Sequence, residues 1–554
     1  MIPPPPESGS FLNLFTKDTA PPRPASAFWN LFTSPDAAPL SDGETVTHPQ
    51  MTPCALHYNE DLMYWALRNL PVTEAPKHLA VVGVVGSGKT TLIRLFLQSL
   101  APRFRRDAPR PEQLIVFDGK CDIVPLLSSM GLHPEDENVF VLNPYDERGV
   151  PWDLADGAKG PLMARHLASL LVPEEPRSTS PFFAESARDL VYAVILALNA
   201  RSGASWTFRD LICALDSMER IKAVTAIHSR ASVIASRILD DDKHAFGVLS
   251  SVATKLVKFE PVAALWHSSR STRRFRIQEF LSRPGVLVLG NDPALRDSLW
   301  PINALLLKAL TQEILRRDET RQPRHWFVLD EFPAMEKLDC IHELLRRGRS
   351  KGVSALLGMQ GIEGPIEVYQ ANAAEEILSL CSYKTFLRAG GPKTAEYAER
   401  YFGKVRRTES VWSESWSRNG HSCSVQHNIT ERSLFLNSVF LNLPSPERGQ
   451  LFYAISDVPC LGSTIISRRW FDQVLSWLNK PADIPAVLRR DSEVDQTLLS
   501  WTDEEEEAMC QPPPSKRGGQ AKSKKPRKKM KPGKKQDGDC ELPDPSRNQR
   551  RPKR

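Results

Sequence analysis

The sequence predicts an α/β fold in which helices cover both faces of a mostly parallel sheet. Three observations lead to this prediction. Short apolar runs alternate with helical patterns, a glycine-rich loop joins the first run to a helix, and one long helical stretch interrupts the alternation. With 554 residues the chain is also too long for one hydrophobic core, so we expect two or more domains.

Seven short apolar segments are the strand candidates. They are HLAVVG (78–83), QLIVFD (113–118), NVFVLN (138–143), PGVLVLG (284–290), HWFVLD (325–330), SALLGMQ (354–360) and KTFLRA (384–389). Residues 155–275 look helical throughout. We therefore predict a nucleotide-binding core in two parts, 51–154 and 276–485, with an all-α domain, 155–275, inserted between them.

The two ends of the chain differ from its body. Residues 1–50 are rich in Pro, Ser, Ala and Thr, and we expect them to be disordered. We expect the same of residues 486–554, in which an acidic run, DEEEE (503–507), precedes a basic segment. From residue 511 onward the chain has 16 Lys or Arg and 4 Asp or Glu, a net charge of +12, so the preceding 510 residues carry −6.

Composition excludes some classes of protein. Hydrophobic residues are 41% and charged residues 25%, and no apolar run approaches the roughly 18 residues of a membrane helix. The N-terminus lacks a signal-peptide pattern. Nine scattered cysteines without a C-x-x-C pair suit a reducing compartment and no zinc site. We expect a cytoplasmic protein.

A glycine-rich loop follows the first strand candidate. GVVGSGKTT (83–91) contains G-x-x-x-x-G-K-[ST], with an apolar strand before it and a helical pattern after it. In this context backbone N–H groups and the helix N-terminus bind phosphate. We expect Lys89 to reach the β- and γ-phosphates and Thr90 to bind Mg²⁺. The candidate nucleotide-binding residues are Gly83, Gly86, Ser87, Gly88, Lys89, Thr90 and Thr91.

An acidic pair ends another strand candidate. Asp330 follows the apolar residues of HWFVLD at the carboxyl end of the strand, where α/β proteins form ligand sites, and Glu331 comes next. Hydrolysis of a nucleoside triphosphate needs a carboxylate for Mg²⁺ and a residue that positions water. We assign Asp330 to Mg²⁺ and Glu331 to the attacking water. The alternative is a strand that ends in surface acids.

Two further candidates lie downstream. In LLRRGRSKG (344–352), Arg349 is the first candidate for an arginine donated to a neighbouring subunit of a ring, with Arg346 and Arg347 behind it. The alternative is a basic helix end favoured by the helix dipole. Gln360 ends SALLGMQ, where it either senses the γ-phosphate through a hydrogen bond or is an ordinary polar strand end.

In this order the motifs resemble the coupling proteins of conjugative type IV secretion systems, the TraD/TraG-like ATPases. The resemblance spans residues 75–465 and rests on the glycine-rich loop and five more segments. These are VFDGKCD (116–122), VLNPYDERGVPWDL (141–154), LVPEEPRSTSPFFAESARDLVYAVI (171–195), FVLDEFPAMEKLDCIHELLRRGRSKGVSALLGMQ (327–360) and TAEYAERYFGK (394–404). Cys121 stands where the family usually has glycine, and Asp153 where it has asparagine.

The resemblance implies a RecA-like P-loop core, a homo-hexameric ring, and ATP hydrolysis with Mg²⁺ that moves DNA, expected to be single-stranded. The implied partners are a relaxase and components of the secretion system. Family members usually begin with membrane-spanning helices, which this sequence lacks. Two alternatives stay open: a soluble FtsK/HerA-like DNA pump, although these usually lack the long helical insertion, and a cargo-recruitment receptor that uses ATP only as a switch.

Three segments outside the core have their own interpretations. The repeat FLNLFT (11–16) and FWNLFT (28–33) suits docking into a groove, and we hypothesise a membrane protein of the transfer apparatus as its partner, which would recruit the chain to the inner membrane. KSKKPRKKMKPGKK (522–535) should bind nucleic acid without sequence preference, with anionic lipid or a solubilising role as alternatives. HSCSVQH (421–427) is predicted to be a loop rather than a metal site.

Overall fold

The computed structural model describes most of the body of the chain. The described residues are 56, 59–66, 68–173, 181–203, 205–269, 271–291, 296–417, 420–443, 452–456, 463–466, 474–488 and 498–511. The FxNLFT repeat of residues 1–50 and the basic segment from residue 512 lie outside them.

A sheet of nine described strands forms the centre of the protein. Seven of them run parallel: β3 (Leu79–Val82), β4 (Gln113–Asp118), β5 (Val139–Leu142), β6 (Gly285–Gly290), β7 (His325–Leu329), β8 (Val353–Met359) and β9 (Tyr383–Phe386). Two antiparallel strands, β12 (Phe452–Ser456) and β13 (Ser463–Ile466), extend one edge. The order across the sheet is β13-β12-β9-β3-β8-β7-β4-β6-β5. Each of the seven strand candidates coincides with a parallel strand, so the predicted sheet is confirmed.

The parallel strands form because both of their faces are covered. Every residue of β3 is buried. Its alternate side chains enter different cores: Ala80 and Val82 belong to one hydrophobic cluster, Leu79 and Val81 to the other. Continuous apolar runs, rather than alternating ones, are therefore what this sheet requires.

Helices of the two core parts pack on the sheet. They are α1 (Lys89–Leu100), α2 (Ile123–Ser129), α12 (Arg296–Leu315), α13 (Ile341–Gly348), α14 (Glu363–Tyr369), α15 (Ala371–Leu380), α16 (Pro392–Phe402) and α17 (Asn437–Leu441). A short hairpin, β1 (Leu62–Trp65) and β2 (Arg68–Pro71), precedes them. No helix among the described residues is both long and apolar enough to span a bilayer.

The stretch between β5 and β6 is helical, as the sequence predicts. Its helices are α3 (Leu154–Gly157), α4 (Pro161–Leu171), α5 (Pro181–Ser202), α6 (Phe208–Ala214), α7 (Met218–Thr225), α8 (Ser229–Leu239), α9 (Asp242–Leu256), α10 (Glu260–His267) and α11 (Ile277–Phe280). The chain enters and leaves this all-α insertion at one point, where Trp152 forms a β-bridge with Phe275 and Asp153 pairs with Arg276 at 2.9 Å.

The prediction of a loop at HSCSVQH is wrong. These residues lie within β11 (Gly420–Ser433), which pairs along its whole length with β10 (Lys404–Ser417) in a two-stranded hairpin. The side chains of Trp412 and Ile429 are 71% and 73% exposed. The backbone pairs along the whole hairpin while these two described side chains lie in solvent, and the Ser-rich sequence shows no apolar alternation that would predict a strand.

The prediction of disorder from residue 486 onward is wrong for residues 498–511. The acidic run lies in a helix, α18 (Asp503–Cys510), whose N-terminus is closed by a capping box between Thr502 and Glu505. Trp501, just before it, is 6% exposed and belongs to the hydrophobic cluster that includes the all-α insertion. Apolar burial and capping therefore order a segment that its charge alone predicts to be disordered.

Candidate nucleotide-binding site

The glycine-rich loop connects the carboxyl end of β3 to α1. Gly88 caps the helix with a φ of 99° and Gly86 has a φ of 74°, a left-handed conformation that glycine adopts without strain. A Cβ on Gly83 would come within 2.5 Å of Ser87 Oγ. The Ser87 hydroxyl donates to the Val84 carbonyl oxygen at 2.6 Å. The small residues of the motif thus allow a tight turn around the helix N-terminus.

The residues predicted to bind phosphate and metal begin α1. Lys89 is its first residue and is 5% exposed, Thr90 is exposed, and Thr91 is half-buried. No side chain among the described residues caps this helix, so its first backbone N–H groups are available to an anion. Thr90 is thus the exposed residue of the first helical turn.

The acidic pair lies opposite this helix N-terminus. Lys89 Nζ donates a 2.9 Å hydrogen bond to Glu331 Oε1 and lies 3.9 Å from Asp330 Oδ1. Asp330 and Glu331 directly follow β7, and only β8 separates β7 from β3 in the sheet. The carboxyl ends of these strands therefore bring together residues that are 242 positions apart in sequence.

Two features of the fold position the acidic pair. On β8, a Cβ on Gly358 would lie 2.7 Å from Asp330 Oδ1, so a side chain there would displace the carboxylate. Glu331 has a φ of 60° and a ψ of 45°, a left-handed conformation that is costly for a residue with a side chain. Its N–H donates to Asp330 Oδ1 at 3.1 Å. The backbone turn thus points both carboxylates toward Lys89.

Lys120 is a second cation in the site. Its Nζ lies 3.4 Å from Glu331 Oε1 and 3.6 Å from Asp330 Oδ2. The segment VFDGKCD contributes to the family resemblance, but Lys120 within it is not among the site residues that the sequence predicts. The signal was a lysine just beyond the carboxyl end of a predicted parallel strand, but strand order was needed to place β4 beside β7.

The loop that carries Lys120 is held by the Asp118 carboxylate and the Cys121 thiol, which hydrogen-bond to backbone groups. Asp118, the last residue of β4, accepts hydrogen bonds from the N–H groups of Asp122 and Ile123 at 3.1 Å and 3.2 Å. Cys121 has a φ of 56°, and its thiol donates to the Asn291 carbonyl oxygen at 3.1 Å. The left-handed conformation of Cys121 accounts for the glycine that the family usually has there.

The charges of the site stabilise one another. Burial raises the pKa of Glu331, but hydrogen bonds and charges from Lys89, Gln360 and Lys120 lower it, and the net shift is downward. Burial lowers the pKa of Lys120, but Asp330 and Glu331 raise it, and the net shift is upward. Glu331 is therefore ionised, and Lys120 protonated, at neutral pH.

Gln360 also reaches the acidic pair. It directly follows β8, and its Nε2 donates to Glu331 Oε2 at 3.1 Å. The two oxygens of Glu331 are thus held separately, one by lysines and the other by an amide. The structure brings Lys89, Asp330, Glu331 and Gln360 together and adds Lys120, while their roles in a nucleotide site stay predictions.

Arg349 lies near the amino ends of the parallel strands, opposite the site at their carboxyl ends. It begins a short turn, Arg349–Lys351, that precedes β8, whereas the acidic pair lies beyond the carboxyl ends of the strands. Arg349 is close enough to act on His78, which directly precedes β3: burial first, and also the charge of Arg349, lower the pKa of His78 to about 4. The seven residues of β8 separate Arg349, at the amino end of the strand, from the site at its carboxyl end by about 20 Å. Arg349 therefore does not reach the site of its own chain.

The other two arginine candidates lie in the last turn of α13. Arg346 and Arg347 are both exposed. Arg347 Nη1 donates to Glu343 Oε1 at 2.6 Å, one helical turn back. Arg347 is thus already engaged within its own helix, which leaves Arg349 and Arg346 as the stronger candidates for a contact with another subunit.

The oxygen atoms at the site fit Mg²⁺. The hydroxyl of the exposed residue Thr90 and the partly exposed Asp330 carboxylate are ligand types that Mg²⁺ takes. Two such oxygen ligands suit a cation that completes its shell with water and phosphate, as Mg²⁺ does. The described part of the chain contains no group of three or more His, Cys, Asp or Glu that could hold a metal.

Comparisons with known proteins place this geometry in context. The family model of the type IV secretion-system coupling protein DNA-binding domain matches residues 66–460. The coupling protein TraD of Escherichia coli (strain K12) is 23% identical to the chain over 343 residues, 60% of this chain and 44% of that protein. The chain thus spans less than half the length of that relative.

Solved structures share the fold. The unbound monoclinic form of the bacterial conjugative coupling protein TrwBdeltaN70 matches with a TM-score of 0.57 and 18% identity, over 78% of this chain and 93% of that one. The plasmid coupling protein TrwB in complex with ADP and Mg²⁺ matches with a TM-score of 0.57 and 18% identity, over 78% of this chain and 93% of that one. At this identity the likeness shows the fold, which confirms the predicted RecA-like core.

Proposed function

Because the chain belongs to the family of type IV secretion-system coupling proteins through their DNA-binding domain, we propose that it is an ATP-driven motor that moves DNA. In this proposal it links relaxase-bound single-stranded DNA to a type IV secretion channel. The observation that carries the proposal is the approach of Glu331 to Lys89 at the carboxyl edge of the sheet. A phosphate-binding lysine beside a charged carboxylate is the arrangement that hydrolysis needs.

Nucleotide binding would rearrange these contacts. The phosphates of ATP would draw Lys89 away from Glu331, because a lysine at this position of the loop pairs with the β- and γ-phosphates. Glu331 would then accept a proton from the attacking water, with Lys120 and Gln360 holding the carboxylate in place. Thr90 and Asp330 would hold Mg²⁺, which when bound neutralises charge on the phosphates.

The position of Arg349 supports a ring. An arginine that is exposed, and about 20 Å from the site of its own chain, would serve the site of a neighbouring copy. There it would stabilise the charge that develops on the transferred phosphoryl group. We propose a homo-hexamer, as the family resemblance implies, in which each site is completed by the next subunit.

The partners follow from the same family. We propose that the motor works in the cytoplasm with a relaxase and other components of the secretion system. The FxNLFT repeat would dock it to a membrane protein and so recruit it to the inner membrane. Pull-down from membranes with the parent and with a chain lacking residues 1–50 tests this; equal recovery of the same partners would contradict it.

The rate of ATP hydrolysis with and without single-stranded DNA separates the motor from a recruitment receptor. A motor hydrolyses ATP severalfold faster when DNA is present, since hydrolysis is coupled to movement along it. A receptor that uses ATP only as a switch keeps its rate. An unchanged rate at saturating DNA would therefore favour the receptor.

A further inference from the structure

The hairpin of β10 and β11 projects from the described body of the protein. Its strands pair along 14 residues each, so the hairpin is about 45 Å long. The described side chains of the half nearest the turn, 411–413 and 423–429, are all exposed. Because neighbouring side chains of a strand point to opposite faces, both faces of this half lie in solvent.

One face of the hairpin carries its large apolar side chains. Trp412 lies directly opposite Val425, and Ile429 follows four residues later on the same face. All three are exposed. The other face carries Ser413 and Ser424, whose hydroxyl oxygens are 2.9 Å apart in a hydrogen bond. We call the face of Trp412, Val425 and Ile429 the apolar face of the hairpin.

A hairpin of this kind gains stability from a partner. Two strands alone are marginally stable in water, because they bury too little apolar surface. Among the described strands, β10 and β11 pair only with each other, so each also has an unpaired backbone edge. Clustered large apolar side chains on a surface are typical of interaction sites. The apolar face therefore indicates a contact with another surface.

The charges of the hairpin argue against nucleic acid as that partner. Between residues 408 and 429 the sequence has one arginine and two glutamates, a net charge of −1. A surface that binds the phosphates of nucleic acid carries clustered Lys and Arg instead. An apolar face with so little charge suits a protein surface.

The hairpin leaves the body at the amino end of β9. Leu434 N–H donates to the Gly403 carbonyl oxygen at 3.0 Å and closes the base of the hairpin. Just before this base, Tyr401 of α16 donates its hydroxyl to the Ser382 carbonyl oxygen at 3.3 Å. Ser382 directly precedes β9, so the base lies at that end of the sheet.

Arg349 lies at the same end of the sheet. Its turn precedes β8, and only β3 separates β8 from β9. The starts of β3 and β9 are joined by a hydrogen bond of 2.8 Å from Ser382 N–H to the Lys77 carbonyl oxygen. A neighbouring copy that receives Arg349 must approach this end. It then comes within reach of a hairpin about 45 Å long.

We propose that the apolar face of the hairpin docks on a neighbouring copy of this chain. This inference rests on the ring of the proposed function and names a surface that holds it together. In a closed ring each copy gives one hairpin and receives one, so every apolar face is covered. The second copy is the occupant because the hairpin and Arg349 share one end of the sheet and the hairpin lacks the charge that nucleic acid requires.

The test compares two variants of the full chain. The apolar-face variant carries Trp412→Ser and Val425→Ser, which are directly opposite each other. The control carries Val411→Ser and Gln426→Ser, the adjacent opposed pair on the other face, also exposed. Because all four side chains are exposed, we expect thermal unfolding of the separated copies to stay parental. Sedimentation velocity over a range of protein concentrations measures assembly.

We expect the apolar-face variant to need at least about tenfold more protein for half-maximal assembly, because a tryptophan within an interface usually contributes that much or more. The control should assemble like the parent. An unshifted apolar-face variant, or an equal shift in the control, would overturn the docking alone, since the parent still forms its ring. A parent that stays monomeric at every concentration would overturn the ring of the proposed function together with the docking.

Photo-crosslinking identifies what the apolar face contacts. A photoreactive phenylalanine derivative replaces Trp412 in one chain and, as the control, Val411 in another. Each is made as ¹⁵N-labelled and unlabelled protein, and the two are mixed before illumination. We expect position 412 to link labelled to unlabelled peptides far more often than position 411 does. Links confined to one chain would overturn the docking, and so would links formed only with added lipid vesicles or a single-stranded oligonucleotide.

Discussion

Lys89 Nζ and Glu331 Oε1 are 2.9 Å apart, so the lysine that we propose to bind phosphate and the proposed base neutralise each other's charge. The pair is largely buried, with side chains 5% and 15% exposed. In the proposed mechanism this contact must therefore be exchanged for contacts with phosphate and water before either residue acts on a nucleotide.

Removing either member of this pair should give a different defect. Lys89→Ala should abolish hydrolysis and weaken nucleotide binding, because the cation that pairs with the phosphates is lost. Glu331→Gln should keep binding and slow turnover by about 10²–10⁴-fold, because the base acts on water. Nucleotide affinity and steady-state hydrolysis measured on both variants check this. Hydrolysis by Glu331→Gln at the parental rate would show that the base is another residue.

Lys120 should shift the pH dependence of hydrolysis. Its positive charge helps to lower the pKa of Glu331, and activity that needs ionised Glu331 is lost as pH falls through that pKa. Lys120→Met should therefore move the acid limb of the kcat profile to higher pH, and Lys120→Arg should restore it. An acid limb at the parental pH in Lys120→Met would mean that Lys120 does not influence the base.

Gly358 should be required for the position of Asp330. The Cβ introduced by Gly358→Ala would lie 2.7 Å from Asp330 Oδ1 and 3.2 Å from its Cα, so the carboxylate must move. We expect a destabilisation of about 1–3 kcal/mol and a raised Mg²⁺ requirement for hydrolysis. Thermal unfolding and Mg²⁺ titration measure the two effects separately. A parental Mg²⁺ requirement would argue against Asp330 as the metal ligand.

Arg349 should act across a subunit boundary. Arg349→Ala should leave nucleotide binding intact and lower the hydrolysis rate on the order of 10³-fold, the usual effect of losing such an arginine. Mixing it with Lys89→Ala should recover activity, because some junctions then pair an intact loop with an intact arginine. Absence of recovery in well-mixed rings would mean that Arg349 does not serve a neighbour.

Burial explains which parts of the fold the sequence predicts. All six residues of β4 and all five of β7 are buried, so each strand is an apolar run that ends at the charged residues of the site. Lys89, Asp330 and Glu331 could be predicted as site residues because of such apolar strand patterns. Lys120 could not be predicted as a site residue, because its role depends on β4 lying beside β7. The order of strands in a sheet cannot be read from the sequence.

The sequence predicts the wrong structure for two segments, in which local composition and the tertiary contacts favour different outcomes. The hairpin of β10 and β11 pairs through its backbone, and Trp412 and Ile429 on it are exposed, so its Ser-rich strands lack the apolar pattern of a buried strand. The segment 498–511 contains a capping-box pattern from Thr502 to Glu505 beside Trp501, which was a readable signal. The five consecutive acids at 503–507 outweighed that signal in the sequence, whereas in the fold Glu505 and Glu506 are paired with arginines.

ATP-dependent movement along single-stranded DNA is the central claim, and displacement of streptavidin from a biotinylated oligonucleotide measures it most directly. The parent should displace streptavidin with ATP and not with a non-hydrolysable analogue, while Glu331→Gln should bind the same DNA and displace nothing. If the parent binds the oligonucleotide and hydrolyses ATP but leaves streptavidin in place, the protein is not a translocating motor.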